Sequence, residues 1–263
     1  MPREWLYRQP EWLIAAVFLA MMAVSLEIGF RLARRAQRRG GDAGATVPTL
    51  QGATLGLVGI TLAFSFSMAS SRYDTRRAMV VREANAIGTA YLRAGLLTGD
   101  GGDRARDLLR VYVEGRLDFV SAAANPARYA KAAVEAEKIH AEIWALAERA
   151  GREDPRPVMA SLFVQAVNEV IDVHSLRVHA TDDHIPEPVL LMLVVFAFVA
   201  AGTVGYGAGL GGQRRLLLSV SFCVLVALML AVVIDADRPG RGLIQVSQKS
   251  LIELRDSLHK AGE

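Results

Sequence analysis

The uncharged stretch around which the chain is organised is LQGATLGLVGITLAFSFSMAS, residues 50–70, which is long enough to cross a bilayer as a helix. It runs directly into SRYDTRRAMVVREANAIGTAYLRAGLL, residues 71–97, where charged residues appear but the apolar ones keep helical spacing. The apolar positions of this second part are Met79, Val80, Ile87, Tyr91 and Leu97. Because no proline or turn cluster separates the two parts, the sequence predicts one long helix that leaves the membrane at residues 70–72 and continues into water.

Four stretches have the roughly 20 mostly apolar residues that a membrane-spanning helix needs. They are Trp12–Phe30, Val47–Ser70, Pro188–Leu210 and Leu216–Ile234. They give the chain its apolar character, since 52% of its 263 residues are hydrophobic and its mean hydropathy is +0.27. RLARRAQRR, residues 31–39, follows the first stretch in place of a small-residue cleavage site, so we expect a retained anchor and not a cleaved signal peptide.

The fold class that these patterns predict is an all-α membrane protein with four transmembrane helices and a helical-bundle soluble domain between spans two and three. The predicted parts are an N-terminal hairpin (1–70), the soluble domain (71–186), a C-terminal hairpin (187–235) and a tail (236–263) with a short amphipathic helix near 247–259. Within the soluble domain we predict helices at 104–122, 126–150 and 158–180. Asp103 and Asn125 are expected to cap the first two, and Gly151 to close the second.

Two polar or small-residue features occur inside the spans. Glu27 lies near the end of span one, and we expect it to pair with Arg31 one helical turn later. Span three ends in GTVGYGAGLGG, residues 202–212, whose glycines allow either tight helix packing or a kink.

Span two has two distinguishable faces. Gly52, Gly56, Gly59, Ala63 and Ser67 form a small-residue strip suited to close helix packing. The second face is mildly polar, and its residues are the candidates for lining a pore: Thr54, Val58, Thr61, Ser65, Met68 and, at its end, Arg72. The alternative is that these hydroxyls bond back to carbonyls one turn earlier, as serine and threonine commonly do in helices.

Candidate metal ligands occur in the last helix of the predicted soluble domain, at Glu169, Asp172 and His174. Their spacing matches no established ligand motif, so we expect no metal site and no cofactor. We expect these carboxylates to pair with arginines of the long helix, such as Arg77 or Arg82.

A set of charged residues lies where the chain leaves the membrane on the side of the soluble domain, after span two and after span four. It comprises Asp74, Arg76, Arg77, Asp235, Asp237, Arg238 and Arg241. We call these residues the membrane-exit cluster, and we predict that its two halves meet and pair.

The orientation follows from the short loops, because arginine-rich short loops remain in the cytoplasm. The loop between spans one and two holds five arginines and one aspartate, and Arg214 and Arg215 lie between spans three and four. Both termini and the soluble domain are therefore expected outside the cytoplasm.

Two segments resemble the signatures of the bestrophin-like proteins, a bacterial membrane protein family defined by a domain of unknown function. They are FSFSMASSRYDTRRAMVVREANAIGTAYLRAGLL, residues 64–97, and DADRPGRGLIQVSQKSLIELR, residues 235–255. The resemblance implies a protein of the bacterial inner membrane. It also implies kinship with bestrophins, pentameric anion channels with four spans per subunit, whose second span lines the pore and continues into the soluble domain.

Two functions are consistent with these features. The first is an oligomeric ion channel, selective for anions, whose partners are the bilayer, further copies of the chain and inorganic ions. The alternative is a membrane-anchored sensor or a structural or interaction protein that conducts nothing. We expect neither an enzyme nor a nucleic-acid binder, since the sequence has no nucleophile, zinc or phosphate-loop motif.

Overall fold

The computed structural model describes residues 9–39, 46–122, 125–153, 157–214, 216–238 and 242–261. These residues form eight helices and no strand, which confirms the all-helical prediction. The helices are α1 (Glu11–Arg38), α2 (Val47–Ala94), α3 (Gly101–Ala122), α4 (Pro126–Glu153), α5 (Pro157–Asp182), α6 (Glu187–Leu210), α7 (Leu216–Asp237) and α8 (Lys249–Lys260).

The described chain contains four segments that are long and apolar enough to cross a membrane, as the sequence predicted. They lie in Trp12–Arg38, Val47–Ala94, Val158–Leu210 and Leu216–Asp237. The predicted long helix is also confirmed, since α2 runs for 48 residues without a break. It ends at Ala94, three residues before the predicted end at Leu97.

Of the three residues expected to cap or close helices of the soluble domain, one does so and two do not. Asn125 caps α4 as expected, because its Oδ1 accepts hydrogen bonds from the backbone N–H groups of Ala127 at 3.1 Å and Arg128 at 3.4 Å. Asp103 does not cap α3, because the helix begins before it. The Arg104 N–H bonds to the Asp100 carbonyl, so Asp103 already lies in the first turn. Gly151 does not close α4, which continues to Glu153, because Gly151 lacks the positive φ of a glycine helix cap.

The chain forms two compact units, the first comprising Met1–Ser71 and His184–Arg238, and the second comprising Arg72–Asp183 and Pro239–Glu263. The first unit holds α1, α6, α7 and the first part of α2. The second unit holds the remainder of α2 together with α3, α4, α5 and α8.

In the first unit, α1 and α6 approach so closely that glycines are required where they cross. A Cβ atom added at Gly29 would meet the backbone of Gly202, and one added at Gly205 would meet the backbone of Leu26. One added at Gly209 would lie 2.6 Å from the Phe30 carbonyl oxygen. The span-three glycines therefore serve tight packing, the first of the two alternatives that the sequence left open.

In the second unit, five helices converge on one apolar core. Each contributes a side chain that is at most 1% exposed: Ile87 from α2, Leu109 from α3, Ile143 from α4, Phe163 from α5 and Leu251 from α8. The amphipathic tail helix predicted from the sequence is thus part of this core, where it buries Leu251 and Leu258.

We expect Gly205→Ala to destabilise the protein by about 1–3 kcal/mol, because the added methyl group would overlap the Leu26 backbone, which cannot rotate away. The measurement is the thermal unfolding midpoint of detergent-purified protein. Gly151→Ala is the matched control, since no heavy atom elsewhere in the described chain lies within 4 Å of a Cβ placed there. Equal midpoints for the two variants would contradict the proposed role of Gly205.

Candidate functional site

A carboxylate lies at the centre of the second unit, entirely shielded from solvent. The Glu83 side chain on α2 is 0% exposed, and Arg116 on α3 donates from Nε to its Oε1 over 2.6 Å. Arg177 on α5 donates from Nη1 to the other carboxylate oxygen. The Tyr112 hydroxyl donates a third, longer hydrogen bond of 3.3 Å to Oε1. We call Glu83, Arg116, Arg177 and Tyr112 the Glu83 cluster.

Aromatic and polar groups from the other helices surround this cluster. The Tyr112 hydroxyl lies 3.1 Å from Nδ1 of His174, and the His140 ring stands 4.9 Å from the Tyr112 ring. Arg177 also donates from Nη2 to Oε1 of Gln248, just before α8. One hydrogen-bonded network therefore contacts α2, α3, α4, α5 and the segment that leads into α8.

The charges of the Glu83 cluster do not cancel. Burial would raise the pKa of the Glu83 carboxyl, but Arg116 and Arg177 outweigh burial and hold that pKa below its ordinary value. Burial, aided by the Arg116 charge, lowers the pKa of His140 to about 4 and that of His174 to about 3. Both imidazoles are then neutral at pH 7. One carboxylate faces two guanidinium groups, which leaves one excess positive charge inside the protein.

The three side chains that the sequence offered as candidate metal ligands make other contacts. Glu169 accepts from Arg82 at 2.8 Å, which is the ion pair that the sequence predicted. Asp172 accepts from the Asn168 amide at 3.1 Å, and His174 contacts Tyr112 as described. Across the described residues, no three side chains of the His, Cys, Asp or Glu type come together as a metal site would require.

The mildly polar strip of span two packs inside the subunit. Val58, Thr61 and Ser65 are each at most 5% exposed. Thr61 donates back to the Leu57 carbonyl at 2.8 Å, and Thr54 lies 3.1 Å from the Thr203 hydroxyl on α6. Met68 is partly buried. The Thr54 hydroxyl also bonds back to the Gln51 carbonyl at 3.1 Å, so Thr54 and Thr61 both match the alternative in which hydroxyls bond to carbonyls one turn earlier.

The small-residue strip on the opposite side of span two is exposed in the single chain. Gly52, Gly56, Gly59, Ala63 and Ser67 are all accessible. No heavy atom from elsewhere in the described chain lies within 4 Å of a Cβ built at any of the three glycines. Close packing of this strip against another helix, which the sequence predicted, is therefore not made within the described part of the subunit.

The part of the membrane-exit cluster on α2 contacts the end of α5. Arg76 is 5% exposed and donates to the carbonyls of Ala180 at 3.0 Å and Asp183 at 2.6 Å. Arg72 lies with its Nε 3.2 Å from Oδ2 of Asp183. A cation at a helix C-terminus compensates the carbonyl dipoles there. Asp74 and Arg77 are exposed.

The part of the cluster at the end of α7 is mostly buried. Asp237 is 0% exposed and accepts from the Ile185 N–H at 3.0 Å, while His184 Nδ1 lies 3.6 Å from the same carboxylate. Asp235 and Arg238 are also buried. Arg241 lies outside the described residues. That the two halves of the cluster pair with each other stays a prediction.

Sequence reasoning missed the Glu83 cluster, although a signal for it exists. Glu83 is four residues from both Met79 and Ile87, which belong to the apolar positions that recur at helical spacing in the long helix. Arg116 likewise follows Tyr112 by one helical turn. A charge at an apolar position of a helix indicates a buried ion pair, but the sequence alone does not name its partners. By contrast, Glu27 was correctly paired with Arg31, at 2.8 Å.

The fold defines the class of protein to which this chain belongs, a multi-pass membrane protein with the bestrophin fold. The bestrophin homologue of Klebsiella pneumoniae, in a crystal structure of a point variant, is 13% identical with a TM-score of 0.69, covering 94% of this chain and 98% of that one. Crystal structures of two further membrane-protein variants are each 12% identical, with TM-scores of 0.65 and 0.66. They cover 93% and 95% of this chain, and 95% and 98% of their own.

The chain belongs to the bestrophin-like family, because the family model described as the Bestrophin-like domain matches residues 14–251. No curated protein matches the sequence. The bestrophin homologues whose fold this chain shares are ion channels.

Replacing Glu83 by glutamine should destabilise the protein by about 3–5 kcal/mol, because two buried guanidinium groups would lose their counter-charge. The thermal unfolding midpoint measures this loss. Glu169→Gln breaks an ion pair whose two side chains are about half exposed, so it should cost under about 1 kcal/mol. If Glu83→Gln were as stable as Glu169→Gln, the Glu83 cluster would not hold the second unit together.

Proposed function

We propose that this protein is an oligomeric, anion-selective channel of the bacterial inner membrane, and that residues 71–186 form a soluble helical domain outside the bilayer. Membership of the bestrophin-like family and the bestrophin fold support conduction. The mainly polar outer surfaces of α3 and α4 support the assignment of the soluble domain.

The observation that carries the proposal is the exposed small-residue strip of span two. Glycine, alanine and serine are enriched where membrane helices pack against one another, because they let the backbones approach closely. Here the strip has no packing partner in the described subunit. Further copies of the chain, arranged so that their span-two helices surround a common axis, would give the strip a neighbouring helix to pack against and would leave the residues that flank it facing the axis.

The residue that would narrow such a path is Ile60, which flanks the small-residue strip and is 57% exposed. Arg72 ends the mildly polar strip and lies beside Asp183, so its side chain would have to turn toward the common axis to form, once per subunit, a ring of positive charge that favours anions. Thr54, Val58, Thr61 and Ser65 would line the path only if span two turned about its own axis, since they are packed inside the subunit.

The orientation that we propose places the soluble domain outside the cytoplasm, because the arginine-rich short loop after span one should stay inside. Lys138 on α4 is well exposed, so a Lys138→Cys substitution offers a reporter once the buried Cys223 is replaced by alanine. A membrane-impermeant thiol reagent should label this variant on intact cells with the outer membrane permeabilised. Labelling that appears only after the inner membrane is disrupted would reverse the orientation.

Protein reconstituted into planar bilayers should pass chloride more readily than sodium. Ile60→Ala should raise the single-channel conductance, because it widens an apolar constriction, and Arg72→Gln should weaken the preference for chloride, because it removes the ring of charge. Single-channel recording and reversal potentials in asymmetric salt measure both effects.

Val58→Ala is the matched control for Ile60→Ala, since Val58 lies on the face of α2 that is packed inside the subunit. It should leave conductance unchanged. If Val58→Ala raised the single-channel conductance and Ile60→Ala did not, the pore would be lined by the mildly polar strip. If the folded protein passes no current at either voltage sign, the channel hypothesis is refuted. The remaining hypothesis is then a membrane-anchored sensor or a structural or interaction protein.

A further inference from the structure

Arg116 is buried with four of its five N–H donors unused. The side chain is 1% exposed, and its Nε is occupied by Glu83. Its two terminal nitrogens, Nη1 and Nη2, are buried and have no hydrogen-bond partner among the described residues. Leaving charged N–H groups unpaired and away from water is costly, so a native protein rarely does so without a reason.

A cavity of about 310 Å³ lies between α3 and α4. Arg116 lines it together with two further cations, Arg128 and Lys131 on α4. Gly115, Ala132 and Ala136 form small, apolar parts of the wall, which leave the space open. The cavity is thus large enough for a molecule of several non-hydrogen atoms, and the buried Arg116 belongs to its wall.

The charges around the cavity favour an anion. Its lining holds three cations and two carboxylates, Asp118 and Glu135. Glu135 is compensated by Lys138, whose Nζ lies 3.5 Å from Oε2. Behind the wall, Glu83 is shared by Arg116 and Arg177, so the Glu83 cluster adds no net negative charge to offset the cationic lining. A bound anion would supply the missing negative charge.

We propose that this cavity is a binding site for a small oxyanion, such as a carboxylate or a phosphate, which accepts two hydrogen bonds from Nη1 and Nη2 of Arg116. The two terminal nitrogens form a planar fork that matches the spacing of two oxygens on one anion, whereas a halide offers only one acceptor. Arg128 and Lys131 add charge on the outer side. The site lies within one subunit, so it requires neither conduction nor an oligomer, and occupancy would couple α3 to α4.

The test is thermal unfolding of the purified full-length protein in inorganic phosphate, acetate or chloride at constant ionic strength. At least one of the two oxyanions should raise the unfolding midpoint with saturation, and chloride should not, because binding to the folded state alone stabilises it. An equal response to all three anions, or a response that rises linearly without saturation, would overturn the proposal.

Two variants locate the binding. Gly115→Leu should place a side chain in the cavity, since Gly115 lines it and no heavy atom elsewhere in the described chain lies within 4 Å of a Cβ there, and leucine favours a helix over glycine. It should remove the oxyanion response, whereas Gly151→Leu, an equally unhindered site in α4 away from the cavity, should keep it.

Arg116→Lys keeps the positive charge beside Glu83 but lacks the fork, so it should also lose the response if it folds. Should Arg116→Lys fail to fold, Gly115→Leu decides alone. A saturating oxyanion response that survives in Gly115→Leu would place the anion elsewhere and refute this site. If the protein passed no current in planar bilayers but kept its oxyanion response, the proposed channel would be refuted and the proposed oxyanion site would not be.

Discussion

The second unit depends on one buried carboxylate that holds two guanidinium groups. Glu83 belongs to α2, while Arg116 and Arg177 belong to α3 and α5, and Arg177 continues the contact to Gln248 before α8. A charge removed from water is tolerated only when it is paired and hydrogen-bonded. These three side chains therefore constrain how the helices can pack, because any arrangement that separated them would leave an uncompensated charge in the core.

The first unit is held together by a different constraint, the close approach of helix backbones. Within a bilayer, burial of apolar side chains drives helices together only weakly, since lipid is as apolar as leucine. Contact between α1 and α6 relies instead on glycines at Gly29, Gly205 and Gly209, where a methyl group would meet backbone. Gln51 adds a polar contact by donating to the Thr203 carbonyl at 2.6 Å.

The helix α2 takes part in the helix packing of the first unit and in the buried ion pairs of the second. Its membrane half buries a mildly polar face against α6 and leaves its small residues uncovered, and its other half supplies Glu83 to the second unit. The proposed pore would be formed by α2, and the proposed oxyanion site is linked to α2 only through the contact of Arg116 with Glu83. The first would be formed between copies of the chain, and the second lies wholly within one subunit, beside Arg116.

The sequence by itself determined the features that depend on near neighbours along the chain. Hydropathy over some 20 residues defined the four spans, helical spacing defined the 48-residue α2, and single-turn contacts such as Glu27 with Arg31 and the Asn125 cap were predicted correctly. These interactions need no knowledge of the remainder of the fold.

Only the tertiary structure decided which face of each helix is buried and which charges meet. Both strips of span two are helical and weakly polar, so the sequence could not tell that Val58 is buried and Gly56 exposed. Glu83 and Arg177 are separated by 94 positions, and their pairing depends on how four helices pack. The unpaired nitrogens of Arg116 and the cavity beside them arise from that packing, because a cavity belongs to the space between helices and not to any one segment.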